Sequence, residues 1–400
     1  MIFILLSMFT VGTAFSILNL ILIPFLSVKL GSPGLAGNIL SAGMLFSMLI
    51  GPVVGTWSDH IGKRMPFIGT FSAIMSASCV LLPLIVNKIL VSFISILLVM
   101  CTFSSIVAYS SLIADYSSSR DKDKNYSLVM GMTNLSGFVS AYIIGKIYVF
   151  SIHMAFLTGA LMIFIPFFPA LFYVMRHPVI IDAPYGAKKG SIMRDIGNFF
   201  RHNEMLIPYY FFIQIGAWFA IGGMWPYLTS FLRDELHIPV GVGTQWLGVM
   251  SLIMASFSLF IGKVSNRMGR VRMYMISLFG LMICIGIIVL LYGNILNSSW
   301  NTIEIIAVMS IMSFFLAFFY SLNSSVLSSL VSPKDQGKAF GMSNLFGTLS
   351  QASAIWILGT IISIYSYKVF FFLGFFGMLW AVLGGIWLNK IIGKDKGDCC

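Results

Sequence analysis

Apolar residues run along the chain in blocks of about twenty, from Ile2 to Leu388, separated by short polar interruptions. Each block is long enough to cross a hydrocarbon core of about 30 Å as an α-helix, and a membrane-spanning strand would alternate instead of running on. The blocks predict helices over 2–28, 35–57, 66–86, 90–114, 126–149 and 153–175, and then over 206–232, 244–263, 273–293, 302–328, 339–362 and 368–389. Turn chemistry at Gly31-Ser32-Pro33-Gly34 and at Asn297-Ser298-Ser299 supports two of the interruptions. The expected fold class is therefore an all-α membrane protein with twelve transmembrane helices.

The longest polar stretch, 176–205, divides the pattern into an N-terminal six-helix half (1–175) and a C-terminal one (206–390), with a tail at 391–400. Within the linker, Ile192, Ile196, Phe199 and Phe200 share one helical face, which predicts a short interfacial helix. Lys and Arg are unevenly shared between alternate loops, nineteen on one side and five on the other. The positive-inside rule then places both termini and the linker in the cytoplasm of a multi-pass protein of the cell membrane.

Composition agrees: 58% of the chain is hydrophobic and only 9% charged, which no water-soluble surface tolerates. The net charge of +11 does not indicate nucleic acid, because the basic residues are dispersed through short loops and form no stripe. Cys79, Cys101 and Cys284 fall inside apolar blocks and Cys399-Cys400 in the tail, a pattern of neither a disulfide framework nor a metal site. The first block lacks a basic leader and outruns a signal peptide's apolar core, so it reads as the first span.

The chain repeats itself. Gly55-Thr-Trp-Ser-Asp59-His-Ile-Gly62-Lys63-Arg64, after the second helix, matches Gly262-Lys-Val-Ser-Asn266-Arg-Met-Gly269-Arg270 after the eighth. Gly131-Met-Thr-Asn134 with Gly137 recurs as Gly341-Met-Ser-Asn344 with Gly347, and Pro24-Phe-Leu-Ser27 as Pro226-Tyr-Leu-Thr229. Every match joins a helix to the one six places on, the mark of two pseudo-symmetric halves related by an axis normal to the membrane.

On these motifs and this topology the sequence resembles the major facilitator superfamily over essentially its whole length. Gly55-x3-Asp59-x2-Gly62-Lys63-Arg64 is similar to that family's signature loop, with His60 and Asn266 departing from its usual residues. Gly62-Lys-Arg-Met-Pro-Phe-Ile68 more weakly resembles the corresponding loop of sugar transporters and sugar–cation symporters. The glycine–proline pattern of drug/proton antiporters is missing from the fifth helix, since Gly137 to Gly145 contains no proline. The resemblance implies that Asp59, Gly62, Lys63, Arg64, Asn266, Gly269 and Arg270 gate the cytoplasmic side, Asp59 facing the start of helix 11 near Ala339 and Gly341. Asp115, ending helix 4, is a candidate partner for Arg64. Gly43, Ser47, Gly51 and Gly55 form a small-residue ridge on helix 2, which the family packs against helix 11.

A solute leaving water needs replacement hydrogen bonds. The resemblance implies a cavity lined by helices 1, 4, 7 and 10, and Asn19, Tyr109, Gln214, Trp218, Tyr320 and Asn323 fall on those helices. Asn134, Asn344 and Gln351, on helices 5 and 11, complete the candidate binding set, with interhelical hydrogen bonding as the rival role for each. The thirteen acidic residues sit in loops or near helix ends, which argues against a deep carboxylate proton relay and leaves Glu304 as the coupling candidate. An uncharged cavity favours sugars or amphipathic compounds, and cations can still use Trp218 and Tyr320.

The expected function is a secondary transporter of small organic solutes working by alternating access, with no catalytic constellation, no cofactor and no metal. A non-transporting sensor on the same scaffold and a drug/proton antiporter are the alternatives. The expected partners are a small-molecule substrate and the lipid bilayer, with proton or sodium coupling left open, no nucleic acid, and a monomeric assembly.

Overall fold

The computed structural model describes residues 2–61, 64–115, 122–176, 205–292, 302–331 and 336–397, and the elements in them are helical. Twelve spans follow one another: α1 (Met8–Leu30), α2 (Pro33–Ile61), α3 (Met65–Leu81), α4 (Lys88–Asp115), α5 (Lys122–Tyr148) and α6 (Ile152–Arg176). The second set is α7 (Pro208–Asp234), α8 (Val240–Met268), α9 (Arg270–Tyr292), α10 (Thr302–Leu330), α11 (Gln336–Ile364) and α12 (Tyr367–Gly397). Eleven carry stretches long and apolar enough to cross a membrane, and α3, at 17 residues, is the short apolar twelfth.

Local chemistry ends and starts these helices where the sequence changes. Gly31 closes α1 in the left-handed region (φ 83°), its N–H donating to the Ser27 carbonyl, and Pro33 opens α2. Asn87 caps α4, its Oδ1 accepting from the N–H groups of Ile89 and Leu90, and Ser151 caps α6 through the Met154 N–H. Gly269 (φ 88°) ends α8 in the same way as Gly31 ends α1, which gives the glycine of the second signature loop a backbone reason. The expected span 66–86 stops at Leu81, and Pro166 interrupts α6 with a turn at residues 165–166, because proline offers no N–H to the ladder. The expected interfacial helix at 192–201 lies outside the described residues.

The chain condenses into two units. The first comprises Met1–Ala183, Trp225–Leu259 and Ile355–Tyr367, so α1 to α6 pack together with parts of α7, α8 and α11. Its centre is α1, held to α5 where the Ser16 hydroxyl donates to the Gly137 carbonyl (3.1 Å), and to α6 where Thr10 donates to Ile163 (2.9 Å). These approaches need small residues: a Cβ on Gly12 would lie 1.6 Å from Ser136 Oγ, and one on Gly159 would lie 2.6 Å from Ile17. The helix 2 ridge has a different neighbour from the expected one at Gly43, whose missing side chain admits Val99 of α4 (2.6 Å).

The second unit comprises Pro184–Met224, Phe260–Ala354 and Lys368–Cys400. Here α7 lies against α12 through Gly216, where a Cβ would meet the Gly377 carbonyl at 2.5 Å, and Phe212 stacks on Trp380 (centroids 4.6 Å apart). Trp380, Leu383 and Trp387 of α12, like Leu161, Phe168 and Phe172 of α6, stay exposed, as lipid-facing side chains of outer helices do.

Candidate functional site

Proline shapes both inner helices. Pro24 and Pro226 withdraw an N–H from the helical ladder, and ahead of each the helix widens into π turns, over Ile17–Leu22 in α1 and Trp218–Gly222 in α7. A further π segment, Pro208–Gln214, begins α7. Wider turns re-aim side chains and are frequent where helices bind something. Asn19, Gln214 and Trp218 all lie in these segments.

In the second unit the first π segment assembles a polar cluster. Residues five apart share a face there, and the Gln214 Nε2 donates to the Tyr209 hydroxyl at 2.8 Å. Asn323 of α10 is the hub: its Oδ1 accepts from Tyr209 (2.8 Å), from Gln214 Nε2 (2.9 Å) and from the Tyr274 hydroxyl of α9 (2.7 Å). Tyr209, Gln214 and Tyr274 are buried, whereas Asn323 is partly exposed. Gln214 Oε1 is buried without a hydrogen-bond partner among the described residues.

One helical turn along, Trp218 of α7 meets Tyr320 of α10 (centroids 5.8 Å) and Phe319 (6.3 Å), and both Trp218 and Tyr320 keep a partly exposed face. Gly347 of α11 makes room for the indole, since a Cβ there would lie 3.1 Å from Trp218 Nε1. Gln351 ties α11 to the π segment by donating to the Gly222 carbonyl (3.2 Å), and Tyr210 ties the other end of α11 by donating to the Ala339 carbonyl (2.7 Å). The result is a neutral wall with an amide and tyrosine layer beside an aromatic layer.

The first unit carries a sparser counterpart. Asn19 is the one partly exposed residue of its π segment, the other five being buried, and Asn134 of α5 is likewise partly exposed. Neither side chain has a hydrogen-bond partner among the described residues. Tyr109, by contrast, is 1% exposed, in an apolar cluster with Met8, Val11, Met65, Ile68 and Phe167. Its ring serves packing of the first unit, not an open face.

That unit also joins ends of helices from both sequence halves. The Tyr227 hydroxyl of α7 donates to the Ile355 carbonyl of α11 (2.8 Å) and lies against Gly37 of α2 and Gly359 of α11. Gly145 of α5 and Gly241 of α8 touch backbone to backbone: a Cβ on either would lie 2.7 Å or less from the other's carbonyl oxygen. Arg233 bonds Asp234 with two nitrogens (2.6 and 3.1 Å), and Tyr367 donates to the same carboxylate.

The structure thus brings Gln214, Trp218, Tyr320, Asn323 and Gln351 together, and leaves Asn344, exposed on α11, without a side-chain hydrogen bond among the described residues. Of the gating candidates, Gly62 and Lys63 lie outside the described residues, as do the side chains of Asp59, Asp115 and Asn266. Arg64 and Arg270 are half-buried at the starts of α3 and α9, and Gly269 forms the turn before α9. Glu304 is exposed in the first turn of α10, where a carboxylate suits the helix dipole. Sequence reasoning missed Tyr209, Tyr274 and Tyr227. The first was signalled by its place in a proline-led aromatic run five residues before Gln214, the last by its place in the repeated Pro-x-Leu motif. Nothing in the sequence around Tyr274 marks it.

Twelve helices in a duplicated order, with half-exposed polar groups on helices broken by π turns, define a polytopic carrier-type membrane protein. The family model described as Major Facilitator Superfamily matches residues 4–294 and 210–397, and the chain belongs to that family. Solved structures similar to it include the nucleoside transporter NupG, 16% identical with a TM-score of 0.72 over 97% of this chain and 98% of that one. The peptide transporter POT is 14% identical with a TM-score of 0.72 (98% and 94% covered). The human organic anion transporter MFSD10 is also 14% identical, with a TM-score of 0.66 (96% and 98% covered). In sequence, no curated protein matches the chain.

Proposed function

We propose that the protein is a secondary transporter that moves small, uncharged or amphipathic organic solutes across a cell membrane by alternating access, with both termini in the cytoplasm. The observation that carries this reading is the neutral wall in which Trp218, Tyr320 and Asn323 stay half-open, backed by the buried Gln214, on membrane-spanning helices where every unmatched polar group is costly. The two six-helix halves of the sequence are the moving bodies in this proposal. Asp59 with Gly62, Lys63 and Arg64 biases the cytoplasmic gate, and Asn266, Gly269 and Arg270 form its repeat-related counterpart. Asn19 and Asn134 supply the first half's share of solute contacts. The structural neighbours named for nucleosides, peptides and organic anions support a small-solute cargo without selecting one.

Flux into proteoliposomes of a panel of sugars, nucleosides and amphipathic compounds, with and without imposed proton or sodium gradients, tests the proposal. Saturable uptake of at least one compound is expected. Absence of flux for the whole panel, with the protein folded and inserted, would favour a sensor on the same scaffold.

A further inference from the structure

The Asn323 carboxamide is held in a way that selects what its open edge can recognise. Gln214 and Tyr274 donate to its Oδ1 at 2.9 and 2.7 Å, and the Tyr209 hydroxyl divides its one proton between that oxygen (2.8 Å) and the Asn323 backbone carbonyl (3.0 Å). An amide oxygen has two lone pairs, so this one has no capacity left for a solute. The opposite arrangement, with the NH₂ turned inward, would set it donor to donor against the Gln214 Nε2 at 2.9 Å. The partly exposed edge of Asn323 is therefore its NH₂, and among the described residues no acceptor meets it.

One turn away the Trp218 indole N–H is also without an acceptor among the described residues, and a donor is all an indole can be. Its ring and that of Tyr320 form a tilted pair, 56° between planes, with apolar faces beside the donors. The wall thus pairs flat apolar surface with N–H groups. A sugar can lay its C–H face on an aromatic ring, but each of its hydroxyls needs an acceptor as well as a donor, and the open edge of this wall offers donors. A planar ring with carbonyl or ring-nitrogen acceptors satisfies both features.

Resting on the transporter reading above, we propose that this wall is the recognition site for neutral planar heteroaromatic compounds whose edge atoms are hydrogen-bond acceptors. Of the two cargo classes the sequence left open, this chooses the amphipathic one over sugars. Specificity resides in the orientation of the Asn323 amide, which Tyr209, Gln214 and Tyr274 fix as positioning residues.

Caffeine, which has acceptors on its rings and no N–H donor, is the probe. Equilibrium binding of radiolabelled caffeine and of glucose to the purified full chain is measured first, followed by flux of both into proteoliposomes. Caffeine is expected to bind and glucose not. Asn323→Asp preserves the three inward bonds and replaces the outward N–H edge by an acceptor, so caffeine binding should fall at least about tenfold. Trp218→Phe keeps the ring and loses the N–H, and should weaken caffeine binding about threefold to tenfold without moving thermal stability. Glucose binding as well as caffeine, or Asn323→Asp and Trp218→Phe both leaving caffeine binding unchanged, would overturn the assignment. The two readings separate cleanly. Caffeine bound but no probe transported upholds the site and sinks the carrier, whereas glucose transported and caffeine neither bound nor transported does the reverse.

Discussion

The inner helices α1 and α7 break into π turns at matching places ahead of Pro24 and Pro226, yet the polar groups around those turns are handled in opposite ways. In the first copy, Ser16 and Thr10 satisfy themselves on backbone carbonyls of α5 and α6, glycines let the helices close in, and Asn19 and Asn134 have no side-chain partner among the described residues. In the second copy the same region holds a four-membered side-chain network and an aromatic pair. The two copies share the backbone device and the repeat motifs and differ in their side chains. One has tight packing with two spare amides, and the other a preorganised hydrogen-bonding wall.

The two halves should respond most differently at the hub residue, Asn323. Asn323→Leu would strand the Tyr274 hydroxyl and one Gln214 N–H, while the Tyr209 hydroxyl keeps the backbone carbonyl of residue 323, and each buried donor left unmatched costs about 1–3 kcal/mol. Asn134→Leu removes an amide that no described residue holds. We expect the first to lower the melting temperature in detergent markedly and to abolish uptake, and the second to leave stability within about 0.5 kcal/mol of wild type. Equal destabilisation by the two substitutions would mean that the two halves handle their polar groups alike.

A second contrast lies in the helix ends that the charge asymmetry assigns to the outer side. Tyr227 belongs to the second copy of the Pro-x-Leu motif, and its hydroxyl occupies the space left by Gly37 and Gly359. A Cβ on Gly37 would sit 1.9 Å from that hydroxyl, so Gly37→Ala should wedge α2 from α11. The expected result is uptake slowed about tenfold, with increased labelling of a cysteine introduced at Ser363, as the population shifts toward an outward-open form. Unchanged labelling would show that the rigid phenol is accommodated elsewhere.

The signature loops differ in acidic charge. The first copy carries Asp59 where the second carries Asn266. Asp59→Asn makes the two alike, and we expect uptake to fall about fivefold through loss of the negative charge proposed to bias the gate, with membrane insertion unaffected. Wild-type flux in this variant would remove Asp59 from the gate.

The helices, their duplication and the family were legible in the sequence because hydrophobic blocks and repeated glycine and proline motifs are local signals. The candidate wall was half legible. Gln214, Trp218, Tyr320 and Asn323 stood out as polar or aromatic residues on the expected inner helices, but which of them touch depended on geometry that no regular helix predicts. The i, i+5 pairing of Tyr209 with Gln214 exists only because α7 is π-helical there, and on an α-helix those side chains would diverge. Tyr274 reaches Asn323 from α9, a long-range contact with no local signature. Tyr109 shows the reverse error of pattern reading: a tyrosine on the right helix turned into an apolar cluster, because helix identity does not fix helical face. Gly43 is similar, a small residue whose neighbour proved to be α4.

The smallest effect is expected at the ends of the inner helices, where the copies again differ. α1 ends with Lys29, donating to the Ile85 carbonyl at 2.7 Å, and α7 ends with Arg233, bonded to its sequence neighbour Asp234. Both cations complement a helix C-terminus. The Arg233–Asp234 pair looks strong by distance, but its side chains are 27% and 34% exposed and adjacent in sequence, so water screens them and little chain entropy is at stake. Arg233 reaches the first copy only through a long contact to the Pro24 carbonyl, at 3.4 Å. Arg233→Gln keeps a donor near that carbonyl and should cost less than about 1 kcal/mol, with uptake changed less than about twofold and no dependence on ionic strength beyond that of the wild type. A tenfold loss that added salt mimics in the wild-type protein would instead make this pair a lock on the outer ends, and the wedge at Gly37 would then be acting on a contact already held by charge.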